Sequence, residues 1–351
     1  MSPYKSIRWF NGKASFLLDK RAVKILFAMT LFAAAVFILS TGMGEMQISP
    51  LSVLQVFFGG GTEMEHLVVT SFRLPRIITA LVVGMSLAAA GGILQGMIRN
   101  PLASPDILGM TGGAATAVVG FLAFFSDKNN ALTVSIEWMP LAAFTGAGVI
   151  AVLVYVLAWK NGVSPIRLVL IGIGISALMS AITTLMMILG PIYRASQANI
   201  WITGTVHGST WTNVSILVPC SFVLIVAALM MARKMNVQEL GDEIATGAGG
   251  HVQRQRFVLL IISAALVGCS VAFAGGIGFV GLMAPHMARR LVGSSYGALL
   301  PVSALIGGIL VMIADLIGRT LFSPLEIPAG VFTAGIGAPY FIYLLFKTRQ
   351  L

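Results

Sequence analysis

The chain has 351 residues, of which 57% are hydrophobic and 10% charged, with a mean hydropathy of +0.94. Soluble domains carry roughly 25% charged residues, so a soluble enzyme is excluded; at about 20 apolar residues per crossing the chain can supply about ten membrane helices and little else. The net charge of +10 is scattered between apolar segments instead of gathered on one exposed surface, which argues against a nucleic-acid partner.

Residues 1–24 read as a basic cytoplasmic segment, carrying Lys5, Arg8, Lys13, Lys20, Arg21 and Lys24. The apolar run 25–39 follows without a small-residue cleavage site, so it is a retained first span. Further spans are expected at 74–95, 107–125, 138–159, 167–190, 214–232, 257–275, 277–292, 298–317 and 328–346. Residues 25–351 thus form one all-α, polytopic transmembrane domain. With the N-terminus inside, Arg99, Lys160, Arg167, Arg233, Lys234, Arg254, Arg256, Arg289, Arg290, Lys347 and Arg349 join the six N-terminal charges on the cytoplasmic side. Only Arg73, Arg76, Lys128, Arg194 and Arg319 remain outside, with acids such as Asp127 and Glu326. That split obeys the positive-inside rule and places both termini in the cytoplasm.

Displaced by 184 residues, 77–93 (IITALVVGMSLAAAGGI) matches 261–277 (IISAALVGCSVAFAGGI) at eleven of seventeen positions, and Pro101 matches Pro285. Five spans lie between the copies, so the second crosses in the opposite sense. This is an inverted repeat, an arrangement common in transporters. The 39 glycines are spread through the spans, where small residues let helix backbones approach.

The polar residues offer little chemistry. Cys220 and Cys269 lie in apolar runs without metal or redox spacing. His66, His207, His251 and His286 share no i, i+4 pairing, His207 and His286 are placed near outer span ends, and each is read as an isolated, satisfied side chain. Asp315 stands four residues before Arg319, the favourable order for a helical ion pair. No charged residue is expected at the span centres, which argues against an ion-coupled transporter, and no paired acids or HExxH suggest an enzyme. No phosphate-binding GxxxxGK[ST] loop occurs, and no cofactor or metal is expected.

Several strings are more specific: RLPR at 73–76, NPLASPDILG at 100–109, GFVGLMAPH at 278–286, ADLIGR at 314–319 and LEIPAGVFTAGIGAP at 325–339. In this order they closely resemble the FecCD family of ABC importer permeases, from about residue 45 to the C-terminus. The resemblance implies a ten-span permease fold in the cytoplasmic membrane, surrounded by lipid. It implies that this chain hydrolyses no ATP and works with a second permease subunit, a cytoplasmic ABC ATPase dimer and an external substrate-binding protein. The cargo it implies is an iron-siderophore complex, with haem or cobalamin as alternatives. Arg73, Arg76 and Arg319 match arginines that dock the binding protein. Within the loop at 233–256, Leu240, Gly241, Asp242, Glu243, Ala245, Gly247 and Gly249 match the segment that couples to the ATPase. From the residues themselves, Asn236 is a plausible cap for a short helix through Glu243, ended by the glycines at 247, 249 and 250. The transport path is implied to run along 172–187 and 330–339.

Overall fold

The computed structural model describes residues 4–9, 14–126, 132–160, 162–190 and 192–348; Lys13, Asp127, Lys128 and Arg349 lie outside the described residues. A short antiparallel hairpin opens the chain, β1 (Tyr4–Trp9) facing β2 (Ala14–Asp19), with Tyr4 opposite Asp19. Every element named after it is a helix. Asp19 caps α1 (Lys20–Gly42) by accepting from the Arg21 N–H at 2.8 Å. Ser49 caps α2 (Pro50–Phe57), where Pro50 occupies the first turn, the one place a missing N–H costs nothing.

A reciprocal capping box between Thr62 and Glu65 starts α3 (Glu63–His66), which runs through a π-helical turn, Leu67–Arg73, into α4 (Leu74–Ile98). Pro75 accounts for the turn. It has no N–H for the Ser71 carbonyl and its ring crowds that group, so the helix widens just before it and the Leu74 N–H reaches Val69 instead. The Thr70 carbonyl is taken by the indole of Trp211 at 2.9 Å.

There follow α5 (Met110–Phe124), α6 (Met139–Ala158), α7 (Pro165–Leu189), α8 (Ile192–Thr203), α9 (Trp211–Glu239), α10 (Asp242–Gly247), α11 (Val252–Ala274), α12 (Val280–Val292), α13 (Tyr296–Thr320) and α14 (Ala329–Thr348). Each of the ten expected spans is a helix. Among the described residues seven helices are long and apolar enough to cross a membrane. The expected spans at 107–125 and 277–292 shrink to α5, of 15 residues, and α12, of 13, too short to cross alone. Residues 103–109 and 275–279, buried or half-buried among neighbouring helices, complete those two passages, the only setting in which irregular backbone is tolerated at membrane depth.

Burial sorts the helices. Of their most apolar stretches, 78% is buried in α4, 72% in α11 and 67% in α13, against 22% in α7 and in α9. The centre is therefore α4, with α11 and α13 antiparallel to it. Glycine sets the spacing: a Cβ on Gly84 would meet the Gly307 carbonyl oxygen at 2.2 Å, and one on Gly91 the Gly281 oxygen at 1.8 Å.

The two repeat copies are α4 and α11, and they run in opposite senses, with the Ser263 hydroxyl of α11 donating to Ala90 O of α4 at 3.3 Å. Their shared Gly-Gly-Ile folds differently. Gly91 and Gly92 lie inside a continuous helix, whereas α11 stops at Gly275, whose φ is +65°. The cause is tertiary. A Cβ on Gly275 would lie 2.0 Å from the Trp201 carbonyl of α8, and the Thr205 N–H seals the helix end at Ala274 O.

Candidate functional site

The helix ends form two faces. The basic face gathers Arg99, Lys160, Arg254, Arg256, Arg289 and the α9–α11 connection. Here α9 runs on to Glu239, past the expected end of its span, and Asn236 is inside it. Asn236 does not cap the loop helix; its Oδ1 accepts from the Tyr296 N–H at 2.8 Å and so caps α13. The loop helix is α10, beginning after Gly241, whose φ of +128° few side chains would adopt. The connection is bonded from all sides: Gln238 Nε2 donates to Gln255 at 2.6 Å and Arg289 pairs with Glu239 at 2.9 Å.

Asp242, in the first turn of α10, receives both Arg99, from the end of α4, and the buried Arg256 of α11, the latter at 2.8 Å. A carboxylate also suits the positive N-terminal end of a helix. Ala245 is buried at 2% exposure and fixes the inward face of α10. The opposite face is bare: Leu240 is 66% and Ile244 55% exposed, with Glu243, Gly247 and Gly249 exposed around them. Ile244 on α10 and Leu240 just ahead of it thus leave an apolar patch exposed at an end where water is expected.

At the other face the arginines are not free. Helix α1 has no basic residue in its last turn, and its C-terminal carbonyls draw cations from two other helices. Arg73 donates to Thr41 O at 2.8 Å, Gly42 O at 2.9 Å and Met46 O; Arg319 donates to Met43 O at 2.6 Å and to Ser40 O. Both are buried, at 8% and 7% exposure. Gly44 threads between them, where a Cβ would fall 2.6 Å from the Arg73 guanidinium.

Arg76 instead crosses to α13 and grips Asp315 through Nε and Nη2, at 2.9 and 2.8 Å, while Nη1 reaches Glu326 at 3.0 Å. The expected Asp315–Arg319 pair is present at 3.4 Å, but the tighter partner of Asp315 is Arg76. Glu326 also meets His207 Nδ1 at 2.6 Å. Partial burial works to raise the Glu326 carboxyl, but the bonds and charge of Arg76, with His207, outweigh it and hold the group below its usual range.

His286 departs from expectation twice. Helix α12 carries it toward the basic face, and neither ring nitrogen has a hydrogen-bond partner among the described residues; the ring stands edge-on to Tyr340, centroids 6.0 Å apart. Of the implied path helices, α7 leaves Gly174, Ala177, Ser180, Ala181 and Thr184 exposed along one side, and α14 leaves Gly335 and Pro339 exposed. Among the described residues no three His, Cys, Asp or Glu side chains come together as metal ligands.

One acidic residue outside the spans also lies deep in the structure. Loop 99–109 folds back among the helices until the Asp106 carbonyl accepts from Ser176 Oγ at 3.3 Å, near the middle of the 25-residue α7. Sequence reading missed Asp106 because it falls between spans; the ten residues from Arg99 to Leu108 carry no helical signal of their own, only NPLASP and turns.

The FecCD transport family model matches residues 31–347. The chain is 60% identical over 332 residues to YfhA of Bacillus subtilis (strain 168), named as a siderophore transport system permease, with 95% of this chain and 97% of that one covered. It is 44% identical to the achromobactin transport system permease CbrC of Dickeya dadantii (strain 3937), covering 97% of both. A solved structure described as an inward-facing conformation of a metal-chelate type ABC transporter superposes with a TM-score of 0.82 at 31% identity, covering 93% of this chain and 99% of that one.

Proposed function

The chain belongs to the FecCD transport family, and from that premise we propose that it is the permease through which an ATP-driven importer moves a ferric siderophore across the cytoplasmic membrane. The relatives' names, siderophore and achromobactin permeases among them, support the cargo class. The basic face is cytoplasmic on this reading, in keeping with the positive-inside rule, and the ATPase dimer binds there. A second permease subunit covers the exposed sides of α7 and α14, and the chelate passes between them.

The observation that carries the proposal is α10 with the residue leading into it: fixed inward by Asp242 and Ala245, apolar outward at Ile244 and, just before the helix, Leu240. A lever of this kind transmits nucleotide-driven movement of a partner into the helices because its inner attachments, Arg99 and Arg256, belong to the two repeat copies at the centre of the fold. The opposite face is the docking surface for an external binding protein. Arg73 and Arg319 act there by fixing the turn after α1, and Arg76 by holding Glu326 and His207 at the surface. Direct pairing of a partner carboxylate with Arg73 or Arg319 requires those side chains to release α1.

The test is L240S/I244S. Each serine removes roughly 1.5–3 kcal/mol of apolar burial at an interface without touching the inward bonds. The variant should be as abundant in the membrane as the wild type and should no longer co-purify with the ATPase. Co-purification at wild-type yield would remove α10 as the coupling element.

A further inference from the structure

Arg256 does more than seat α10. It is 2% exposed, and its guanidinium bonds to two different elements: Nη2 donates to Asp242 Oδ1 of α10 at 2.8 Å, and Nη1 donates to the Val163 carbonyl at 3.0 Å. Val163 lies in the turn between α6 and α7, two residues ahead of Pro165, where α7 begins. One turn earlier on α11, Gln253 Oε1 accepts from the Val163 N–H at 2.9 Å. Two side chains three residues apart, and so neighbours on one face of α11, thus take both backbone polar groups of a single buried residue. A residue held at its N–H and its carbonyl together can neither slide along α11 nor turn against it.

The turn is stiff on its α7 side as well. Trp159 and Val163 pair across it, the Lys160 N–H donates to Gly162 O at 3.2 Å, and Arg167, in the first turn of α7, donates from Nη2 to Lys160 O at 3.2 Å. Gly162 has a φ of +114°, and a Cβ there would fall 2.8 Å from Gln253 Nε2, so the close seat on α11 requires glycine. The turn and the start of α7 therefore form one body, and Arg256 is where that body meets α10. A guanidinium suits this place, because its planar fork serves two partners at fixed angles where an ammonium is a single point of charge.

We propose that Arg256 is a positioning residue for transport: through Val163 it carries the displacement of α10 into α7, the helix along whose exposed side the chelate passes. The proposal rests on the importer reading for the source of that displacement. Arg99 takes the same displacement to α4, in the buried centre, and Arg256 is the branch that reaches the path. With that branch cut, ATP is hydrolysed and α7 stays where it is.

The test uses the complete importer in proteoliposomes, with Cys220 and Cys269 replaced by alanine and spin labels on I166C, in the first turn of α7, and S295C, just ahead of α13. Adding ATP to this background should shift the distance between the labels. R256K keeps a charge for Asp242 and gives up the bond to Val163. The shift should collapse, and the amount of iron-55 siderophore moved per ATP hydrolysed should fall about tenfold, the scale of one hydrogen bond from a charged donor. A loss of stability alone lowers the amount of importer and leaves that ratio unchanged. Q253A leaves the Arg256–Asp242 pair in place and frees only the Val163 N–H; it should reduce the shift and the ratio in the same direction, whatever R256K does to assembly. A full ATP-driven shift in either variant overturns the proposal, and so does a labelled parent that hydrolyses ATP without moving α7. If the ATPase does not bind the chain at all, it is the importer reading that fails. If the shift is present in the parent and lost in R256K while no ferric siderophore is moved, the cargo reading fails and the link stands.

Discussion

Arg73 and Arg319 make contacts within the chain that their sequence positions do not announce. Three arginines at the face where the positive-inside rule disfavours them called for a reason, and the sequence could offer only snorkelling or a partner protein. The reason the structure adds is the bare C-terminal end of α1, which is 32 residues from Arg73 and 279 from the Arg319 contact with Ser40; no local pattern reports such a pairing. Hydrogen bonds from a charged donor contribute on the order of 2 kcal/mol. R73A and R319A should each therefore lower the thermal midpoint of the detergent-purified chain, and the Met43–Ile48 turn should become accessible to protease. Unchanged melting in both variants would return these arginines to the role of free docking charges.

Glu326 carries a pH signature. Its folded pKa is depressed, so its bonds to Arg76 and His207 contribute stability above the unfolded pKa of about 4.3, and that contribution is lost as pH falls through the lower folded value. The group is 39% exposed, and solvent screening keeps the effect small. E326Q should be less stable than the wild type at neutral pH, and the two melting curves should converge as the pH is lowered below about 4. A constant gap between them down to that pH would exclude the carboxylate charge as the cause.

At the scale of elements, the spans were legible wherever apolar residues ran on for a full crossing, as in α4, α7 and α13. Two features were not. The π-helical turn before Pro75 depends on how one ring avoids one carbonyl, and the unequal fate of Gly-Gly-Ile in α4 and α11 depends on whether Trp201 or Gly281 packs against it. In both, tertiary contact decides between conformations that the local residues permit equally. Asn236 is similar: its residue type marks it as a cap, and only the approach of α13 says which helix it caps. The α10 geometry gives the sharpest prediction at this scale. A245W forces a large side chain into a site of 2% exposure, and overpacking of this kind costs about 1–3 kcal/mol, enough to tilt α10 away from Arg99 and Arg256. Uptake should fall at least tenfold with the chain still inserted; wild-type uptake would mean that α10 needs no fixed seat.

For the molecule as a whole, composition fixed the class, the charge split gave the expected orientation, and the displaced repeat foretold the antiparallel pairing of α4 with α11. What these could not reveal is that two passages are each made of a short helix and an irregular segment. Helix α5 is apolar and α12 ends on Arg289 and Arg290, and only the packed positions of the segments before them show where each helix starts. The buried centre of the fold is α4, α11 and α13, and the sides of α7 and α14 stay exposed.

The central claim is that this chain conducts a ferric siderophore under the control of an ATPase on its basic face. It is tested most directly by iron-55 siderophore uptake into proteoliposomes holding the permease pair, the ATPase and the binding protein, with ATP added on the side of the basic face. The account predicts accumulation that requires ATP on that side and disappears in L240S/I244S. Accumulation that continues without ATP, or that persists unchanged in L240S/I244S, would contradict it.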